Sequence, residues 1–149
     1  MTESKMSTKE LLQRLFNTTS VKRFIKRHGG DMLDAPFHTY LKEQCTQRGV
    51  NPAQIILKSG IERTFGHHIF SGRKNPSRDK VLQLAFGFEM NYEETQELLK
   101  IARKSTLYPK IMRDAVVIQG LERKLCLNVV QAALAELDIP LIGKEGRYE

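Results

Sequence analysis

The chain has 149 residues, a formal charge of +7 from 24 Lys and Arg against 17 Asp and Glu, 40% hydrophobic residues, two cysteines and no tryptophan. That is enough length to bury a core without staples, and Cys45 and Cys126 show neither the Cys-x-x-Cys nor the Cys/His spacing of a zinc knuckle, nor a disulfide framework. The longest apolar runs, such as 55–57 and 115–118, are far short of the ~20 residues of a membrane span, and Glu3, Lys5, Lys9 and Glu10 stand where a signal peptide would need an apolar stretch. A cytoplasmic, reducing compartment is the expectation.

Helical periodicity runs through nearly the whole chain, with no alternating strand pattern of useful length, so the expected class is all-α. Ser7 to Phe16 puts Leu11, Leu12, Leu15 and Phe16 on one face, with Ser7 and Glu10 in capping-box spacing. Val21, Phe24 and Ile25 form the apolar side of a short second helix, Lys22, Arg23, Lys26 and Arg27 its basic side, and Gly29-Gly30 its end. The pattern resumes from Asp34 with Phe37, Tyr40, Leu41 and Cys45, and stops at Gly49. Asn51-Pro52 caps a helix carrying Ile55 and Ile56, which Ser59-Gly60 breaks. A helix over 61–71 follows, then a Gly72 to Pro76 turn, and Ser77 caps a helix over 78–86 that Gly87 closes.

Asn91 caps the next helix, with Glu93, Glu94 and Glu97 early and Lys100, Arg103 and Lys104 late, the order that complements the helix dipole. Leu98, Leu99, Ile101 and Ala102 are its inward positions. Pro109 opens a helix through about Lys124, with Ile111, Met112, Ala115, Val116, Ile118 and Leu121 as apolar positions, and Asn128 caps a last helix to Leu137. The expected organisation is an N-terminal helical extension over 1–33, a central domain over 34–90, C-terminal helices over 91–142 for packing or dimerisation, and a flexible tail over 143–149.

The charge is local. Residues 48–80 hold Arg48, Lys58, Arg63, Arg73, Lys74, Arg78 and Lys80 against Glu62 and Asp79, a net of +5, while the segments before and after carry +3 and −1. Such a concentration is what a phosphate-contacting face requires; a solvated basic surface is the bland alternative. Within it, Asn51 to Ser77 reads as helix, tight Ser-Gly-Ile turn, helix, then Ser-Gly-Arg-Lys-Asn-Pro-Ser. Two helices joined through a glycine turn make a helix-turn-helix, whose second helix can lie in the ~12 Å DNA major groove.

Residues 52–61, Pro-Ala-Gln-Ile-Ile-Leu-Lys-Ser-Gly-Ile, with 71–77, resemble the phage-repressor-like (XRE-type) helix-turn-helix family of bacterial and phage regulators, over about 37–91. The resemblance implies a five-helix, lambda-repressor-like domain used as a homodimer on a palindromic operator in double-stranded DNA, without cofactor. Two positions depart from the family pattern: Ile56 stands in place of alanine in the first helix, and Gly66 in place of a branched apolar residue in the second. Either the two exchange volume, or the second helix is short or bent at Gly66.

On a recognition helix of about 62–71, Glu62, Arg63, Thr64, His67 and His68 face outward as candidate base contacts, while Ile61, Phe65 and Ile69 face the core. Arg63 can bond guanine bidentately; an ion pair with Glu62 or a phosphate contact competes with that role. Gln54, Arg73, Lys74, Arg78 and Lys80 are the candidate phosphate contacts, which set register and affinity without reading sequence. His67 and His68 lie ~100° apart on a helix, a poor arrangement for a shared metal, and no catalytic grouping is evident. A protein-interaction module, antitoxin-like, with partner binding through the terminal helices, is the rival function.

Overall fold

The structure, a computed structural model, describes residues 6–31 and 36–143, which are helical throughout with no strand among them. Residues expected to start a helix at Asp34, and the tail beyond Gly143, lie outside the described residues. The chain divides into two compact units, 1–34 and 35–149.

In the first unit, α1 (Thr8–Asn17) follows the cap Ser7, whose Oγ accepts from the Glu10 N–H at 3.2 Å. Ser20 caps α2 (Val21–His28) in the same way through the Arg23 N–H, and a single 3-10 turn follows at Gly29–Asp31. Phe24 and His28 are the buried side chains here, their rings 4.8 Å apart. The expected apolar faces are otherwise open: Phe16 is 69% and Val21 60% exposed, and Leu12, Leu15 and Ile25 are exposed too.

The second unit is built around α6 (Arg78–Gly87), whose residues from Val81 onward are all buried. A helix buried on every side belongs at the centre of a core; past its charged first turn α6 is apolar except for Gln83, and it packs against both α4 (Pro52–Ser59) and α7 (Tyr92–Ile101). In front stand α3 (Phe37–Arg48), with Leu41 and Cys45 inward, and α5 (Arg63–Ser71) packed on α3 and α4. Burial raises the Cys45 thiol above its ordinary pKa, as a small buried hydrophobe requires. Behind, α8 (Met112–Glu122) and α9 (Leu127–Glu136) pair and send Val117, Leu121, Val130 and Leu134 into the same core. The C-terminal helices therefore spend one apolar face on this unit, while Met112, Val129 and Leu137 stay exposed.

Several boundaries differ from the sequence reading, among them the end of α7, which stops at Ile101 and leaves Arg103, at φ 60°, and Lys104 beyond the helix. The helix expected from Ile61 starts at Arg63, because Glu62 takes the cap position and its carboxylate accepts from the Phe65 N–H at 3.0 Å. Gly87 is the last residue of α6 instead of its stop; a Cβ there would lie 2.9 Å from the Ile55 carbonyl, so the glycine serves close packing of α4 on α6. The helix expected from Pro109 starts at Met112, and Ile111 and Met112 are exposed while Asp114, Val117, Gly120 and Leu121 face inward. Finally, α9 starts at Leu127 with Cys126 as its cap residue, which places Asn128 inside the helix.

The late start of α8 has a visible cause. Arg78 and Asp79 open α6, Arg113 and Asp114 open α8, and the two dipeptides pair crosswise. Arg78 grips Asp114 bidentately at 3.1 and 2.9 Å, and Arg113 grips Asp79 at 2.7 Å on both oxygens. Both carboxylates are buried, Asp114 at 2% and Asp79 at 7% side-chain exposure. Surplus donors reach the Ser105, Thr106, Pro140 and Leu141 carbonyls, while the Tyr108 and Gly143 N–H groups donate to the carboxylates. Asp114 thus holds the Tyr108 N–H, keeping the chain non-helical across 108–111.

Arg48 and Glu94 form a more exposed tie between α3 and α7. The Asn91 N–H, first, and the Arg48 guanidinium hold the Glu94 carboxyl below its ordinary range against a raising effect of burial. A depressed carboxylate adds stability that is present above its unfolded-state pKa and is lost as pH falls through the lower, folded value. Glu94→Gln is accordingly expected to lower the urea midpoint at neutral pH, with the gap to the parent protein closing once the medium is acid enough to protonate Glu94 in the fold. Arg113→Met, which takes the bidentate guanidinium away from the buried Asp79 carboxylate, is expected to cost about 3–5 kcal/mol in urea unfolding, and adding Asp79→Leu to recover much of it.

Candidate nucleic-acid interface

The Ser59-Gly60 connection between α4 and α5 is built from the backbone outward. Gly60 ends α4 at φ 73°, a left-handed conformation that side chains resist. Ser59 is fully buried, its Oγ donating to the Ile56 carbonyl and accepting from the Ile61 N–H, and the Gln83 amide of α6 donates to the Ser59 carbonyl at 3.1 Å. Ile61 and Ile69 then anchor α5 in the core at 5% and 1% exposure, with Phe65 half-buried between them.

The two unusual positions meet. A Cβ on Gly66 would fall 2.5 Å from Cγ2 and 2.8 Å from Cγ1 of Ile56, so the isoleucine occupies the volume a side chain would need. The helix runs without interruption through Gly66, which makes volume exchange the operative reading and removes the short-helix one.

What α5 turns outward is Arg63, Thr64, His67 and Ser71, all exposed; His68 is half-buried, and Glu62 precedes the helix as its cap. His67 and Ser71 also line an open cleft of about 370 Å³ together with Lys42 of α3 and the first residues of α4, Asn51 to Ala53. Lys42 was not among the sequence candidates; its only signal is its place on the polar side of α3. Gln54 forms a reciprocal capping box with Asn51, accepting from the Asn51 N–H at 2.8 Å and donating its own N–H at 2.9 Å, which leaves its side-chain NH2 to donate outward.

Beyond α5, Gly72 adopts φ 85°, and the Arg73 and Lys74 N–H groups both donate to the His68 carbonyl at 2.9 and 3.2 Å. The His38 imidazole lies against Gly72, 2.7 Å from where a Cβ would stand. The basic turn therefore has an ordered backbone, and both its cationic side chains are exposed. No described residue forms an ion pair with Arg63, Arg73 or Lys74.

The other cations of the segment are differently placed. Arg48 pairs with Glu94, Lys58 with Glu89 at 3.1 Å, and Arg78 with Asp114. Arg78, expected at phosphate, has its guanidinium committed to the fold. Lys80 is half-buried and donates to Gln83 at 3.3 Å. Acids outside 48–80 thus neutralise three of its seven cations, and the charge that stays unpaired narrows to Arg63 on α5, the Arg73-Lys74 turn after it and the half-buried Lys80. Among the described residues no group of three His, Cys, Asp or Glu side chains converges as metal ligands would.

Compared with profiles of known protein families, with curated proteins and with solved structures, the chain shows no significant match to any.

Gly66→Ile is expected to destabilise by about 1–3 kcal/mol through overpacking, and Ile56→Ala placed beside it to return most of the loss. Strictly additive urea midpoints for the pair would show that the two positions do not share the volume.

Proposed function

We propose that the protein binds double-stranded DNA sequence-specifically and regulates transcription, with α4 and α5 as a helix-turn-helix and α5 in the major groove. The observation that carries the proposal is the joint presentation, around one exposed helix, of groups suited to bases and groups suited to phosphates. Arg63, Thr64 and His67 are the base-facing set, with Arg63 the strongest because a guanidinium spans guanine O6 and N7. Arg73, Lys74, the Gln54 amide and Lys42 flank them as phosphate contacts. Glu62 is assigned to the cap of α5, Arg78 to the fold, and Lys80 a lesser part.

A cytoplasmic homodimer on a two-fold operator belongs to the same proposal, since two half-sites one helical turn apart need two copies. The rival, a partner-binding module, draws on the exposed Phe16, Val21 and Ile25 of the first unit and on Tyr108, Ile111 and Met112 of the second.

Selection from a random duplex pool is expected to return a palindromic site. On it, Arg73→Gln/Lys74→Gln should weaken binding to all duplexes and flatten the dependence of log K on log salt by roughly 0.9 for each phosphate no longer neutralised. Arg63→Ala should cost about 1–3 kcal/mol on the selected site and much less on random DNA. Enrichment of nothing, together with no salt-dependent duplex affinity, would leave the partner-binding reading in its place.

A further inference from the structure

The first unit holds a cationic cavity that the helix-turn-helix reading does not use. Between α1 and α2 lies an open space of about 360 Å³, lined by Arg14 and Asn17 from α1 and by Arg23, Arg27, Phe24 and His28 from α2. Arg23 and Arg27 stand one helical turn apart, and Arg14 meets them from the other helix. Among the described residues no carboxylate lines the cavity, and none forms an ion pair with any of the three arginines.

His28 supplies a second, separate observation. Its side chain is 5% exposed, its ring tilts against Phe24 with centroids 4.8 Å apart, and it borders the cavity. No described residue hydrogen-bonds to it and no buried side-chain nitrogen lacks a partner, so its ring nitrogens are not sealed from solvent and are free to meet a ligand there. Three like charges around one cavity repel one another, and an anion relieves that repulsion.

The geometry points to a binding site for a phosphate group in this cavity. Three guanidinium forks offer more donors than the two oxygens of a carboxylate can accept, whereas a phosphate presents several oxygens and up to two charges, the match for which arginine forks are suited. The Phe24 and His28 rings give the space an aromatic wall, and its volume exceeds that of a bare phosphate, so a phosphate ester fits better than the free ion. The ester is either the backbone of a nucleic acid or a small phosphorylated molecule. The inference is independent of the role given to α5, since every residue it uses lies between Arg14 and His28.

The full chain would be titrated with inorganic pyrophosphate by calorimetry, with the His28 ring proton signals followed by NMR, in the parent protein, Arg23→Gln/Arg27→Gln and Arg73→Gln/Lys74→Gln. All four substituted positions are exposed, so the fold is expected to survive, as helical circular dichroism would check. Saturable binding that shifts the His28 signals, weakens at least about tenfold in Arg23→Gln/Arg27→Gln and is retained in Arg73→Gln/Lys74→Gln supports the site. Duplex binding then separates the sources. If Arg23→Gln/Arg27→Gln also lowers the salt slope on DNA, the phosphate is nucleic-acid backbone; if duplex binding is unchanged while pyrophosphate binding is lost, it is that of a small ligand. Absence of saturable pyrophosphate binding, or equal binding by all three proteins, overturns the proposal, whereas failure of Arg73→Gln/Lys74→Gln to affect DNA counts only against the role of the second unit.

Discussion

The crosswise pairing of Arg78-Asp79 with Arg113-Asp114 organises the second unit. Two buried carboxylates are expensive to take out of water, and each is tolerable here because a guanidinium grips both its oxygens while backbone N–H groups of Tyr108 and Gly143 add further donors. Both carboxylates also sit in the first turn of a helix, where the dipole favours negative charge. Because the four charges cancel, the arrangement is neutral, and because its members lie far apart in sequence, it forms only when α6 and α8 are correctly docked. Pairing of this kind adds little net stability over an apolar contact, but a wrong docking leaves two bare carboxylates in the core.

That constraint propagates to the exposed surface. Docked α6 presents Gln83 to the Ser59 carbonyl, which holds the connection into α5. Ile56 in turn sits against Gly66, so α4 and α5 meet more closely than two side-chain-bearing positions would allow. The outward residues of α5 are therefore positioned from behind by contacts in which none of them takes part. The proposed contact with DNA would need such support, since a small displacement at the base of a helix misplaces every contact along it.

Local signals were readable in the sequence, and distant ones were not. Ser7, Asn51, Ser77 and Asn91 each cap the helix expected of them, because a cap depends on a residue and its third neighbour. The Ile56 and Gly66 exchange was one of two readings the sequence left open, and the contact of the two positions decides between them. The start of α8 was hidden, since it is decided by Asp114 answering an arginine 36 residues earlier. Arg78 looked like a phosphate ligand because its charge was visible and its partner was not. Lys42 and His38 were missed because they reach the site from α3, and only the packing of α3 on α5 brings them there. The apolar faces of α1 and α2 were read correctly as stripes, yet the stripes remain largely exposed.

The contact of Gly143 with α6 changes where the smallest self-sufficient piece of the second unit ends. The proposed DNA-binding stretch ends near residue 91, yet its buried Asp79 depends on Arg113 and on the Gly143 N–H, and Gln83 lies directly beneath Gly143. Cut at 91, the segment would leave Asp79 without its charge partner and lay open the flank of Phe86 that faces Gly120 and Val130. The folding unit is thus larger than the recognisable one: residues 92–143 serve as the missing wall of the domain, and an insertion or truncation there acts on α5 as surely as a change within it.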